Sequence, residues 1–137
     1  MQQLYNATEQ YADSYYACLI LIRDTKNSVF GALLDTCPQP SGFAEFTGGT
    51  ESFVFTLKPE MKGFVTTGKN DYIMLAERTR LDIGFEKDGP AIHLDEGFQR
   101  CSTYSSLTFE NDMLHGRPND SATAPDFTVQ ELEFFII

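Results

Sequence analysis

The chain has 137 residues, of which 42% are hydrophobic, and a formal net charge of −10, with a sequence pI near 4.4. This length predicts one domain with a core of its own. The acidic charge argues against direct binding to nucleic acid or to anionic membranes, because phosphate recognition depends on Lys and Arg.

The sequence predicts neither a membrane span nor a secretory signal. It has no apolar run of about 18 residues, and its first residues are not a basic segment followed by an apolar block. Three widely spaced cysteines, Cys18, Cys37 and Cys101, indicate free thiols in a reducing compartment. The expected location is therefore the cytoplasm.

The hydrophobic pattern predicts one helix and a series of short strands, and the 12 Phe and 6 Tyr residues favour β-structure. The helix is expected at residues 1–11. Strands follow at residues 15–23 and 28–34, in a central strand that ends at Leu57, and at residues 63–67, 71–76, 91–94 and 127–137. Residues 78–85 lead into a loop, residues 98–109 are only moderately strand-like, and residues 115–126 form the longest polar loop.

The first and last strands carry the most detailed predictions. Residues 15–23 are apolar without alternation, which is typical of a strand covered on both faces. A polar turn joins them to residues 28–34, which predicts a β-hairpin with Gly31 at a bulge or a close backbone approach. In the last strand, one face is expected to carry Leu132, Phe134 and Ile136, and the other Val129, Glu131, Glu133 and Phe135.

Short strands separated by turns at about ten-residue spacing predict an antiparallel β-sandwich or barrel. The sequence contains no repeats, heptads or low-complexity segments. We take the two-sheet antiparallel sandwich, mainly β with one or two short flanking helices, as the predicted fold.

The central stretch combines a tight bend with an amphipathic strand. Gly48 and Gly49 reach positive φ without a Cβ clash. Phe53 and Phe55 then alternate with polar residues, so one face of the strand is apolar. Glu51 lies on that face at the edge of the strand, where a carboxylate must reach water or accept hydrogen bonds from backbone N–H groups.

Six segments in the same order resemble the TLDc domain, the module of the eukaryotic oxidation-resistance proteins. They are residues 19–32 with the aromatic-glycine-alanine step, 50–55, 67–70, 94–95, 108–114 and 127–133. The matching family-signature residues are Gly31, Gly49, Glu51, Phe53, Gly68, Asp95, Thr108, Phe109, Leu132 and Glu133. The resemblance implies a single TLDc-like domain over residues 1–137, divergent or truncated, that lacks the family's first strand and so leaves a sheet edge open.

The chain also departs from the family pattern at several positions. Thr50 stands where the family has glycine, and His93 stands where it has Trp. Cys101 replaces a glycine, whereas Ser106 replaces a cysteine that many members share. The loss of that cysteine weakens any thiol mechanism common to the family.

The resemblance implies a non-enzymatic interaction module with a role in protection against oxidative stress. The implied partner is the peripheral sector of the vacuolar-type proton ATPase, which would place the protein in the cytoplasm or at the surface of acidic organelles. An acidic face would speed association with a basic partner. We expect contact through residues 82–96 and 115–126, and we expect no metal and no cofactor.

The signature carboxylates Glu51 and Glu133 allow two interpretations. They form a paired acid–base or cation site, or each accepts hydrogen bonds from turn backbone and ties two strand ends together. We favour the structural interpretation, under which Glu51→Gln destabilises the domain.

Two further functions stay open. One is a weak thiol or carboxylate enzyme that acts on oxidants, with Cys37 and Cys101 as the thiols expected to be more exposed than Cys18, or with a Cys–His dyad formed at a distance. The other is a structural subunit of a larger assembly. The acidic residues Asp82, Glu86, Asp88, Asp95 and Glu96 lack EF-hand spacing and are interpreted as a solvated loop.

Overall fold

Two antiparallel β-sheets pack face to face in the computed structural model, which describes residues 1–9, 16–40, 45–115 and 124–137. The predicted β-sandwich is therefore confirmed. The described chain contains one helix, α1 (Gln2–Thr8). Its strands are β1 (Cys18–Asp24), β2 (Val29–Leu34), β3 (Phe46–Thr47), β4 (Phe53–Lys58), β5 (Lys62–Val65), β6 (Met74–Glu77), β7 (Arg80–Ile83), β8 (Ile92–Asp95), β9 (Cys101–Ser102), β10 (Asp126–Phe127) and β11 (Val129–Ile136).

The strand order explains how the chain builds the two sheets. The five-stranded sheet has the order β11-β1-β2-β4-β5, and the six-stranded sheet has the order β10-β9-β8-β7-β6-β3. The β1–β2 pair is the predicted hairpin. The last strand returns to pair with the first, so β1 and β11 are neighbours in one sheet.

The core lies between the sheets and follows the alternation of the strands. Cys18, Ile20 and Ile22 of β1 point inward and are fully buried, as are Leu81 and Ile83 of β7 in the facing sheet. At one place an aromatic pair joins the sheets, because Phe30 of β2 meets Phe127 of β10 edge to face at 4.9 Å. Burial of these apolar side chains supplies the main free energy of folding.

Helix α1 is too short to be stable alone and is held by tertiary contacts with β7 and with the loop after β2. The Tyr5 hydroxyl donates to the carbonyl of Arg80 at 2.7 Å. The Thr8 hydroxyl donates to the carbonyl of Pro38 at 2.8 Å, just after β2. Leu4 and Tyr5 are buried in the core cluster. The predicted end of the helix, at residues 10–11, lies outside the described residues.

Several strand predictions need correction. The strand predicted at residues 71–76 begins at Met74, and residues 98–109 contain only the two-residue β9. Strand β7 was not predicted, since residues 78–85 were expected only to lead into a loop. The two-residue strands β3 and β10 were not predicted as separate strands, because two residues show no periodicity and depend on pairing with distant chain segments.

The last strand corrects one residue's orientation. Arg23 pairs with Glu131 and Asp24 with Val129, so the register shifts between them. This shift leaves Gln130 as an extra residue, as in a β-bulge. Val129 consequently packs against the core, and its predicted outward orientation is wrong.

No helix in the described ranges has the length and hydropathy needed to cross a membrane.

Gly31 offers a sharp test of this packing. A Cβ at Gly31 would lie 1.9 Å from the carbonyl oxygen of Ile20. We therefore expect Gly31→Ala to lower the free energy of unfolding by at least about 2 kcal/mol, as measured by urea denaturation. The matched control is Gly63→Ala, because Gly63 also faces Phe55 across the sheet but has nothing within 4 Å of the added methyl. The control should change stability by less than about 0.5 kcal/mol, and equal losses from the two variants would refute the explanation.

Candidate functional site

The turn before β4 is held by the carboxylate of Asp35. Its Oδ1 accepts a hydrogen bond from the Gly49 N–H at 2.7 Å, and its Oδ2 accepts one from the Glu51 N–H at 3.2 Å. In return, the Asp35 N–H donates to Ser52 Oγ at 3.1 Å. A Cβ at Gly49 would lie 2.3 Å from Asp35 Oδ2, so the carboxylate can approach only because residue 49 is glycine.

This arrangement corrects the role assigned to Glu51. Its side chain is exposed, and among the described residues none donates a hydrogen bond to its carboxylate. Asp35 accepts the turn's N–H bonds instead. Sequence reasoning missed Asp35 because 14 residues separate it from Gly49, and only the β2–β4 pairing brings them together.

The two signature carboxylates do not form a paired site. Glu133 is an exposed residue of β11, whereas Glu51 precedes β4. Strands β1 and β2 lie between β11 and β4, so the two residues are at least about 14 Å apart across the sheet. Paired acid–base chemistry requires contact or near contact between the carboxylates, and this geometry does not provide it.

The remaining signature residues have structural surroundings. Gly68 has a φ of +78°, which favours glycine. Thr108 Oγ1 donates to Asn70 Oδ1 at 2.9 Å and accepts from the Phe85 N–H at 2.9 Å. The other members are buried Phe109, partly buried Leu132, and Asp95, which accepts a bond from the Gln99 N–H.

The outer face of the five-stranded sheet carries an apolar row that spans all five strands. We call it the outer apolar row: Phe135, Leu19, Leu33, Phe53 and Val65, which are successive cross-strand partners. Phe135 is 46% exposed and Val65 is 70% exposed. An antiparallel sheet of this kind is expected to be polar on its solvent face. Strand β1 was predicted to be covered on both faces. In the described chain its core face is buried and its outer face is only partly covered.

A second row lies beside the first and extends the apolar surface. Phe55 stands between Gly31 and Gly63, and its ring is 6.1 Å from that of Phe53. Leu21 follows on β1, and Glu133 ends the row on β11. In the sequence, the absence of alternation in β1 indicated that the outer face of this strand is apolar. The register that aligns the five residues of the outer apolar row could not be predicted from that pattern.

The structure contradicts the expected exposure of two thiols. Cys37 is 3% exposed and Cys101 is 1% exposed, and Cys18 is buried as predicted. Burial raises the pKa of Cys101 to about 11 and that of Cys18 to about 12, and it also raises the pKa of Cys37. Thiols with raised pKa values are protonated at neutral pH and are poor nucleophiles.

A cleft of about 470 Å³ contains Cys101 together with the buried pair Asp24 and His115. His115 Nδ1 lies 3.4 Å from Asp24 Oδ2. Its Nε2 lies 2.6 Å from the carbonyl oxygen of Ala124. Nδ1 has no hydrogen-bond partner in the described chain, and no hydrogen bond joins either ring nitrogen to the Cys101 thiol there, as a general base would require. The cleft therefore does not assemble the Cys–His dyad.

The acidic segment between Asp82 and Glu96 is not one solvated loop. Asp82 is only 9% exposed, and its Oδ1 lies 2.5 Å from His93 Nδ1 across β7 and β8. That hydrogen bond is the main cause of a raised pKa at His93. In the part of the chain that the structure describes, no three His, Cys, Asp or Glu side chains are grouped to hold a metal ion.

The fold and the signature segments agree with comparisons against known proteins. The sequence profile of the TLDc domain (TLD) matches residues 1–137. The chain belongs to the TLDc domain family. Human nuclear receptor coactivator 7 is 31% identical over 116 residues, which is 84% of this chain and 11% of that protein.

Two proteins named oxidation resistance protein 1 are also similar to this chain over most of its length. Human oxidation resistance protein 1 is 30% identical over 118 residues, or 85% of this chain and 12% of that protein. Oxidation resistance protein 1 of Kluyveromyces lactis is 25% identical over 115 residues, or 70% of this chain and 46% of that protein. The chain thus matches a small part of the animal relatives and less than half of the yeast one.

The Asp35 turn gives the first test of this site. Asp35→Ala should lower the free energy of unfolding by about 1–2 kcal/mol, because two N–H groups lose their acceptor. Glu51→Gln is the control and should change it by less than about 0.5 kcal/mol, since that side chain is exposed. Chemical denaturation measures both free energies. A larger loss of stability from Glu51→Gln than from Asp35→Ala would indicate that Glu51, and not Asp35, stabilises the turn.

The thiols give the second test. All three should react slowly with Ellman's reagent in the native chain near neutral pH and rapidly after denaturation, because burial keeps them protonated and inaccessible. A Met61→Cys variant supplies the control, since Met61 is 80% exposed and a thiol there should react at once. Fast native reaction of Cys37 or Cys101 would contradict their burial.

Proposed function

We propose that the protein is a non-enzymatic TLDc interaction module that acts in protection against oxidative stress. Membership of the TLDc family carries this proposal, and the relatives named oxidation resistance protein 1 support it. The outer apolar row adds a surface suited to a partner, because exposed contiguous apolar patches mark interaction sites. The buried, protonated thiols favour binding over thiol chemistry.

The proposed partner is the peripheral sector of the vacuolar-type proton ATPase, which the TLDc resemblance suggests. The protein would meet it in the cytoplasm or at the surface of acidic organelles. The net charge of −10 would speed association with a basic surface on that assembly.

The contact surface proposed from the sequence needs revision. Asp82 is buried against His93, so the start of the segment 82–96 is not available to a partner. Most of the segment 115–126 lies outside the described residues. The outer apolar row is the better candidate, because it combines exposure with apolar area.

The test is capture of the detached catalytic sector of the vacuolar proton ATPase by the purified, folded chain, read by mass spectrometry. We expect stoichiometric capture. An unrelated folded protein of similar size and net charge serves as the control for non-specific attraction. Capture by both proteins, or by neither, would reject this partner. A chain that is insoluble alone and soluble only with another protein would favour a structural subunit instead.

A further inference from the structure

The outer apolar row has a defined length and direction; its ends, Phe135 and Val65, are exposed, and its three central side chains are partly exposed. Its five side chains lie on five adjacent strands. Strands in a sheet are about 4.8 Å apart, so the row is about 19 Å long. An α-helix of about 13 residues has the same length. A sheet face is ordinarily buried by a helix or by another sheet, and not by a single added strand, which would use an edge.

Carboxylates lie on both sides of this row. Glu133 is in the neighbouring cross-strand row that contains Phe55. Glu51 lies in the turn that leads into β4, two residues before Phe53, and so is on the other side of the row from Phe55 along the chain. Both side chains are exposed, and within the described ranges neither forms an ion pair. The flanks of the row are thus negatively charged.

The cations on the same sheet lie farther from the row or are ion-paired. Lys62 of β5 is three residues from Val65 and lies within ion-pair distance of Glu60 and Asp112. Arg23 is four residues along β1 from Leu19 and is ion-paired with Glu131. Lys58 is five residues along β4 from Phe53. At about 3.3 Å per residue these positions are about 13 Å and 17 Å from the row. Arg23 lies diagonally across from Glu133, about 7–8 Å away, but its ion pair is with Glu131, and in the described chain none of these cations is ion-paired with Glu51 or Glu133.

A second copy of this chain is a poor occupant. Pairing two such faces would bring acidic flanks together, and each chain carries a net charge of −10. Like charges brought together at an interface oppose association. A partner with an apolar stripe and positively charged flanks matches both the apolar row and the carboxylates beside it.

We propose that the outer apolar row binds a basic amphipathic helix of a partner protein. Its apolar side chains would cover Leu19, Leu33 and Phe53, and Lys or Arg on its two flanks would meet Glu51 and Glu133. This inference rests on the proposed function as an interaction module and specifies the chemistry of the partner.

The probe is a fluorescein-labelled amphipathic peptide of Leu and Lys, about 14 residues long so that it spans the row. Binding is followed by fluorescence anisotropy. Two further peptides are controls: one with Glu in place of Lys, and one with the same composition in a non-amphipathic order. We expect binding of the first peptide alone.

Two double variants test the surface. Phe135→Thr with Val65→Thr removes the exposed ends of the row while keeping strand-compatible side chains, and it should weaken binding at least about tenfold. Met61→Thr with Leu107→Thr removes exposed apolar side chains elsewhere and should change affinity less than about twofold.

Two further double variants test the flanks, and each removes the same number of carboxylates. Glu51→Gln with Glu133→Gln should weaken binding about fivefold or more. Glu9→Gln with Glu45→Gln alters two exposed residues off this sheet and should have less than about twofold effect. Both pairs change the charge from −10 to −8, so a difference between them reports position. Thermal melts confirm that each variant is folded.

Three outcomes would overturn the inference. One is failure of the folded chain to bind the Leu/Lys peptide, and another is an equal loss from both charge pairs, which would indicate net attraction only. The third is a wild-type dimer by light scattering that dissociates in Phe135→Thr with Val65→Thr, which would make the occupant a second copy. The ATPase capture experiment separates the two proposals. Capture that is unaffected by the row variants rejects this surface and keeps the function, whereas peptide binding without ATPase capture rejects that partner and keeps the surface.

Discussion

The carboxylate of Asp35 holds the turn that precedes β4, and the pairing of the five-stranded sheet depends on that turn. By accepting hydrogen bonds from Gly49 and Glu51, it shapes the turn that leads into β4. The pairing of β4 with β2 then places Phe53 opposite Leu33 and Phe55 opposite Gly31. A register shifted by one residue would exchange the core and solvent faces of β4. The turn therefore helps to decide both the core and the outer surface.

The two sides of the five-stranded sheet serve different purposes. The inner side supplies the hydrophobic core, including Ile20, Phe30 and Val54. The outer side is also apolar along one row, whose side chains are partly or largely exposed. Large exposed apolar patches commonly mark interaction sites, which is why we propose the outer side as the binding surface. The titratable groups that suggested chemistry, Cys101 and the Asp24–His115 pair, are instead built into the interior.

Predictions that rest on local sequence patterns were correct, whereas those that depend on residues distant in the sequence were wrong. The β1–β2 hairpin and the inward face of Leu132 and Phe134 were predicted correctly because alternation and turn residues are local. Cys37 and Cys101 were expected to be more exposed than Cys18, which lies in an apolar run, yet the folded chain buries all three. Val129 was assigned to the wrong face because the register shift near Asp24 interrupts the alternation. Glu51 received a role that belongs to Asp35, which is near in space and distant in sequence.

The sequence by itself determined the fold class, the family and the acidic character of the surface. These properties depend on composition, strand periodicity and ordered motifs, all of which are carried by the chain without reference to its pairing. The tertiary structure decided which carboxylate holds the central turn, which thiols are buried, and which five side chains line up across a sheet. Each of these depends on the register between strands far apart in sequence, and register is settled only when the whole hydrophobic pattern and the turns are satisfied together.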